Sequence, residues 1–138
     1  MPVGNADPAG LLSNRQLSLW PYTRISDPRL KLGDEYVLFK ANALPPFKMG
    51  YFNAHGWMAY WLEGILFRKT FEAQTESIYP DNNSNAEMYC NERFVELESL
   101  GPIVKLLPGN SVNHLETWDV FTDLDCLPVE LQDMLIES

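Results

Sequence analysis

Glu96 and Glu98 stand two residues apart in the run Arg93-Phe94-Val95-Glu96-Leu97-Glu98-Ser99. In an extended strand alternate side chains share a face, so Phe94, Glu96 and Glu98 point one way and Val95 and Leu97 the other. Such a carboxylate pair either lies on a solvated exterior or lines a cleft. In a cleft, burial and mutual repulsion raise one pKa and make that group a general base. A second alternation places Val112, His114, Glu116, Trp118 and Val120 on one face. An imidazole and a carboxylate beside an indole suit a sugar, whose C–H faces stack on aromatic rings while its hydroxyls bind polar groups. The plainer alternative is a hydrogen-bonded His–Glu pair at a partly buried sheet edge.

Further charged residues sit where they need partners. The segment Trp20-Pro21-Tyr22-Thr23-Arg24-Ile25-Ser26-Asp27-Pro28-Arg29 brings two guanidinium groups to one carboxylate. Arg24 or Arg29 could form a bidentate loop clamp with Asp27, or reach a ligand. Lys48 and Lys69 interrupt apolar strands and require a counter-charge wherever they point inward. His55 falls in a turn and is expected to be solvated. Glycine-rich phosphate loops, nucleophile elbows and HExxH pairs are missing from the sequence, so neither a metal nor a cofactor is expected.

The elements that must position these residues read as short strands. Glu35–Phe39, Phe47–Phe52, Gly56–Leu62 and Gly64–Phe71 are β-branched or aromatic runs bounded by turn formers, and Glu63-Gly64 suits a tight hairpin. Apolar side chains on both faces of that hairpin predict a central, doubly buried pair. Thr75 to Asn85 is loop chemistry. Ala86–Cys90, Arg93–Leu97, Ile103–Leu107 and Val112–Phe121 follow as strands, with turn signals every 8–12 residues or so, the spacing of an antiparallel sandwich or barrel. Leu127, Leu131 and Leu135 repeat at helical spacing behind Pro128 and predict a short C-terminal helix. The expected organisation is a lead-in over 1–16, a β-domain over 17–122 and an acidic segment over 123–138.

The chain has 138 residues, 46% apolar and 12% aromatic, enough for a core and incompatible with a disordered chain. A net charge of −9 disfavours nucleic acid and anionic lipid as partners. From Glu116 onward there are seven acids and no base, which predicts a solvated acidic end. Membrane-length apolar runs and a secretory-type N-terminus are both lacking, and Cys90 and Cys126 have neither zinc nor disulfide-scaffold spacing. A soluble cytoplasmic protein with two free thiols is expected.

The stretch Leu97-Glu98-Ser99, followed by Leu107-Pro108-Gly109-Asn110-Ser111-Val112-Asn113-His114, resembles the C-terminal signature of galactose-mutarotase-like proteins. In aldose 1-epimerases a Leu-Glu-Thr-Gln strand carries the catalytic glutamate, and a Leu-x-Pro-Gly turn leads into the last long strand. Residues 17–121 also resemble the C-terminal half of uncharacterised bacterial proteins assigned that fold. Leu19-Trp20-Pro21-Tyr22-Thr23-Arg24, Pro46-Phe47-Lys48-Met49-Gly50, Leu66-Phe67-Arg68-Lys69, Tyr79-Pro80-Asp81 and His114-Leu115-Glu116-Thr117-Trp118 carry this match. The resemblance implies a mainly β protein, an antiparallel β-sandwich forming half of a mutarotase-like supersandwich, with a sugar-like ligand on its concave face. It puts Glu98 in the general-base position, with Glu96, His114, Glu116, Trp118, Arg24 and Lys48 as ligand-binding candidates. Leu100 stands where the epimerases carry glutamine, and their acid histidine precedes the matched stretch. Catalysis is therefore expected to be vestigial, the alternatives being an epimerase completed by a second chain or a non-catalytic interaction module. Half a supersandwich would leave apolar edges wet, so a homodimer is expected to cover them.

Overall fold

Extended aromatic and β-branched segments pair into three antiparallel sheets in the computed structural model, which describes residues 9–11, 13–42 and 45–123. In chain order the elements are β1 (Ser18–Leu19), β2 (Leu30–Leu32), β3 (Val37–Phe39), β4 (Phe47–Tyr51), β5 (Trp57–Leu62), β6 (Ile65–Phe71), the single turn α1 (Pro80–Asn83), β7 (Ala86–Cys90), β8 (Val95–Ser99) and β9 (Glu116–Phe121). Sheet I has the order β1-β4-β7-β8, sheet II is the pair β2-β3, and sheet III has the order β5-β6-β9. No helix among the described residues is long and apolar enough to cross a membrane.

Alternation along sheet I decides where the core lies. Phe47, Met49 and Tyr51 of β4 align with Cys90, Met88 and Ala86 of β7, and all six are buried. Val37 of sheet II and Met58 and Phe71 of sheet III join the same cluster, with Val95 and Leu97 of β8 packed against it. The intervening residues Lys48, Gly50, Glu87, Tyr89, Glu96 and Glu98 therefore share the opposite face of sheet I.

The β5–β6 hairpin turns at Glu63-Gly64, both at positive φ (48° and 84°), as a two-residue turn matching strand twist requires. It is not doubly buried as its composition suggested: β5 is an edge strand of sheet III, and most residues of the hairpin are half-buried or exposed. β8 starts two residues later than the expected Arg93, because the Asn91 side chain accepts from the backbone N–H of Arg93 (2.7 Å) and Phe94 (3.1 Å) and holds both in the turn. Ile103–Leu107 is not a strand. Ile103 N donates to Ile78 O at 2.8 Å, but no ladder follows. β9 begins only at Glu116, and Ile103, Val104, Leu106, Leu107, Val112 and Leu115 are exposed along the arm before it. The expected C-terminal helix, most of the acidic segment and Cys126 lie outside the described residues. Cys90 is a free, buried thiol whose pKa burial pushes up.

Candidate functional site

Three strands that are distant in sequence bring the charged face of sheet I together. The register aligns Lys48 with Tyr89 and Tyr89 with Glu96, and in the next pair aligns Gly50 with Glu87 and Glu87 with Glu98. Lys48 Nζ donates to both oxygens of Glu98 at 3.0 Å and lies 2.9 Å from Glu87 Oε2. It also sits 4.8 Å from the centre of the Trp20 ring, a cation–π contact. Thr23 pins the Trp20 loop to β4, accepting from Lys48 N at 3.0 Å and donating to Lys48 O. Lys48 thus has the counter-charge that its apolar strand demanded.

Glu87 is the unusual member. Its side chain is 1% exposed, and its Oε1 has no hydrogen-bond partner. Burial pushes its pKa up, and Lys48 offsets this only in part. Gly50 makes room for it: a Cβ there would come within 2.9 Å of both Glu87 Cγ and Ser84 Oγ. For Lys48 burial works against the charged form, but the hydrogen bonds from its amine to Glu87 and Glu98 prevail and raise its pKa. At the solvent side, burial and then a hydrogen bond with Glu98 raise the pKa of Glu96. Tyr22, largely exposed, completes the patch; burial and then Tyr89 push its phenol up.

His114, Glu116 and Trp118 form a second cluster on the other side of β8. Ser99 follows Glu98 and so points to the opposite face, where its hydroxyl donates to Glu116 and lies 2.7 Å from His114 Nε2. Glu116 also accepts from Lys69 Nζ (3.0 Å) and Trp118 Nε1 (2.9 Å). This wiring does not activate a nucleophile. With the Ser99 proton committed to a carboxylate, the imidazole N–H donates to Ser99 Oγ instead of withdrawing a proton from it. Burial raises the Glu116 pKa, but the hydrogen bonds from Ser99, Lys69 and Trp118 outweigh it and hold the carboxyl below its ordinary 4.5. A depressed folded-state pKa stabilises the fold above the unfolded value, and that stability is lost as pH falls through the folded value. Glu116→Gln is therefore expected to flatten the fall of the urea midpoint below pH 4.5. An unchanged acid limb would contradict the assignment.

The expected single concavity holding Glu96, Glu98, His114 and Trp118 is thus two clusters on opposite faces of sheet I. Arg24 belongs to neither. It is exposed, and the loop clamp on Asp27 is made by Arg29, with Nη2 to Oδ2 at 2.8 Å and Nε to Oδ1 at 3.0 Å. The Asp27 pKa is lowered, chiefly by this hydrogen bonding. His55 is exposed, as its turn implied. Sequence reasoning passed over Glu87 and singled out the Trp20–Arg29 segment without giving Trp20 or Tyr22 a role; the signal was Lys48 itself, whose partly buried amine required a carboxylate from a neighbouring strand. Among the described residues no group of His, Cys, Asp or Glu could hold a metal ion. Compared with protein-family models, curated proteins and solved structures, the chain matches none, so these comparisons neither support nor oppose the mutarotase-like resemblance.

Proposed function

We propose that this protein binds a sugar or related polyol on the charged face of sheet I without turning it over. The observation that carries this reading is Lys48, held between Glu87 and Glu98 above Trp20. Around it Glu96, Glu98 and the Tyr22 and Tyr89 phenols offer donors and acceptors at the spacing of adjacent strands, and exposed Tyr22 offers ring surface for C–H stacking. A non-catalytic role is favoured because both Glu98 oxygens accept from Lys48, and the imidazole of His114 lies across the sheet. An epimerase needs its base and acid on one side of the ring. The antiparallel sandwich resembling half of a supersandwich belongs to the same reading. So does a second copy covering the apolar arm over 103–115.

Titration with a panel of aldoses and polyols, followed by chemical-shift changes, tests the assignment. Saturable shifts at Trp20 and Tyr22 are expected, weakened about tenfold (about 1.4 kcal/mol) in Trp20→Ala, with no acceleration of anomerisation by polarimetry. Absence of binding across the panel would end the sugar reading, and accelerated anomerisation would replace it with an enzyme. Sedimentation in the same buffer reads the second copy: a species of 15.8 kDa alone would exclude it.

A further inference from the structure

On the far side of sheet I from the proposed sugar site, residues of all three sheets line a cavity of about 440 Å³ that opens to solvent. Its floor is the core face of sheet I, including Met88 and Leu97, and its walls include Val37, Phe39, Trp57 and Leu66. Protein interiors leave few voids larger than a water molecule, and cavities of this size are the scale of small-molecule sites. The charged lining is one-sided. Arg29, Lys31 and Lys40 contribute to the cavity, and no Asp or Glu does, in a chain with nineteen acids and ten bases. Arg29 is already neutralised by Asp27. Among the described residues Lys31 and Lys40 have no ion-pair partner. Lys40 is exposed and Lys31 half-buried, whereas Val37, Met88 and Cys90 are buried, so the charge lies toward solvent and the apolar surface lies inside.

The geometry points to a ligand with an apolar body and one carboxylate: the hydrocarbon enters the cavity and the anion meets Lys31 and Lys40 at its rim. Burial of the body supplies the affinity, and the unopposed amines select the sign of the head group. Two features make this site distinct from the sugar site. It uses the core face of sheet I, and none of Trp20, Tyr22, Lys48, Glu87, Glu96 or Glu98 lines it; of the residues named for the sugar site Tyr89 alone also borders it.

Decanoate is the probe, titrated into the full chain below its micellar concentration. Binding is read from the fluorescence of Trp57 and Trp61, which both line the cavity. A saturable change is expected, at least about tenfold tighter than for decanol and absent for decyltrimethylammonium. Ala59→Trp, placed on the Trp57 and Trp61 face of β5, is expected to fill the cavity and abolish the response. Lys31→Glu leaves the apolar wall in place and is expected to bring decanoate down to the affinity of decanol. A flat titration with the native chain overturns the site. So does undiminished binding by an Ala59→Trp protein with a native-like urea transition. Equal affinity for decanoate and decanol in the native chain overturns the carboxylate assignment. Loss of sugar binding in Trp20→Ala with decanoate binding intact is expected under both readings, whereas a joint loss would contradict their independence.

Discussion

Lys48→Met is expected to destabilise the fold by about 3–5 kcal/mol, the cost of stranding a buried charge. Glu87 is 1% exposed and only its Oε2 has a partner, so removing the amine leaves a buried carboxylate with no cation beside it. Methionine keeps the apolar stem of lysine and its packing on Trp20, so the loss reports charge more than volume. Two further measurements separate these contributions. Lys48→Met combined with Glu87→Gln is expected to recover most of the lost stability, because a neutral amide costs far less to bury than an unpaired carboxylate. The penalty of the single variant should also depend on pH. The Glu87 pKa is already raised in the folded state by burial, and loss of Lys48 raises it further. A raised acid contributes fully below its unfolded value of 4.5 and loses that contribution as pH rises. The variant is therefore expected to be closest to the native chain in acid and furthest from it near neutrality. A loss under about 1 kcal/mol at neutral pH in urea unfolding would place Glu87 in contact with solvent and dismantle this account.

Asn85→Ala is the second large effect expected, about 3 kcal/mol, because each buried polar group left without a partner costs about 1–3 kcal/mol. Asn85 and Asn53 are both 0% exposed and bind reciprocally. Asn53 N donates to Asn85 Oδ1 at 2.6 Å, and Asn85 Nδ2 donates to Asn53 O at 3.1 Å. Asn53 in turn donates through Nδ2 to Trp57 O at 2.7 Å and accepts from His55 N at 3.1 Å, shaping the turn into β5. That turn runs through Gly56, whose φ of 62° and 2.2 Å clearance between a built Cβ and Phe71 O leave no room for a side chain. Alanine at 85 would orphan the Asn53 amide and loosen the link between sheets I and III. Hydrogen exchange at the Asn53, His55 and Gly56 amides should accelerate more than exchange in β4. Uniform acceleration would mean that Asn85 supports the whole fold and not this junction.

Local chemistry was legible wherever a few consecutive residues decide it. Glu63-Gly64 can hardly be anything but a hairpin turn, and β7 runs from Ala86 to Cys90 as its composition indicated. The demand of Lys48 for a counter-charge was equally plain, because burial energetics do not depend on where the partner comes from. The identity of that partner was not legible. Glu98 is fifty residues away and Glu87 thirty-nine, and only the register of β4 on β7 and β7 on β8 brings them together. Two other expectations failed for a related reason. Ile103–Leu107 has strand-like composition, but a strand also needs a neighbouring backbone, which apolar content does not supply. Glu98 and His114 each lie on a polar face of their own segment; alternation within each segment says nothing of which side of another sheet it meets.

The five residues of β8 are a partition between two chemistries. Glu96 and Glu98 face the Lys48 amine, and Val95, Leu97 and Ser99 face the core and the Glu116 network. Substitution can therefore tune either side alone, and the two sides are free to diverge over evolutionary time. A change in length is not so local. Losing or gaining one residue between Asn91, which fixes the hairpin, and Leu100, whose N–H donates to Asn85 O at 2.9 Å, would send the carboxylates into the core and the apolar side chains out of it. The number of residues in this strand is thus constrained more tightly than the identity of most of them.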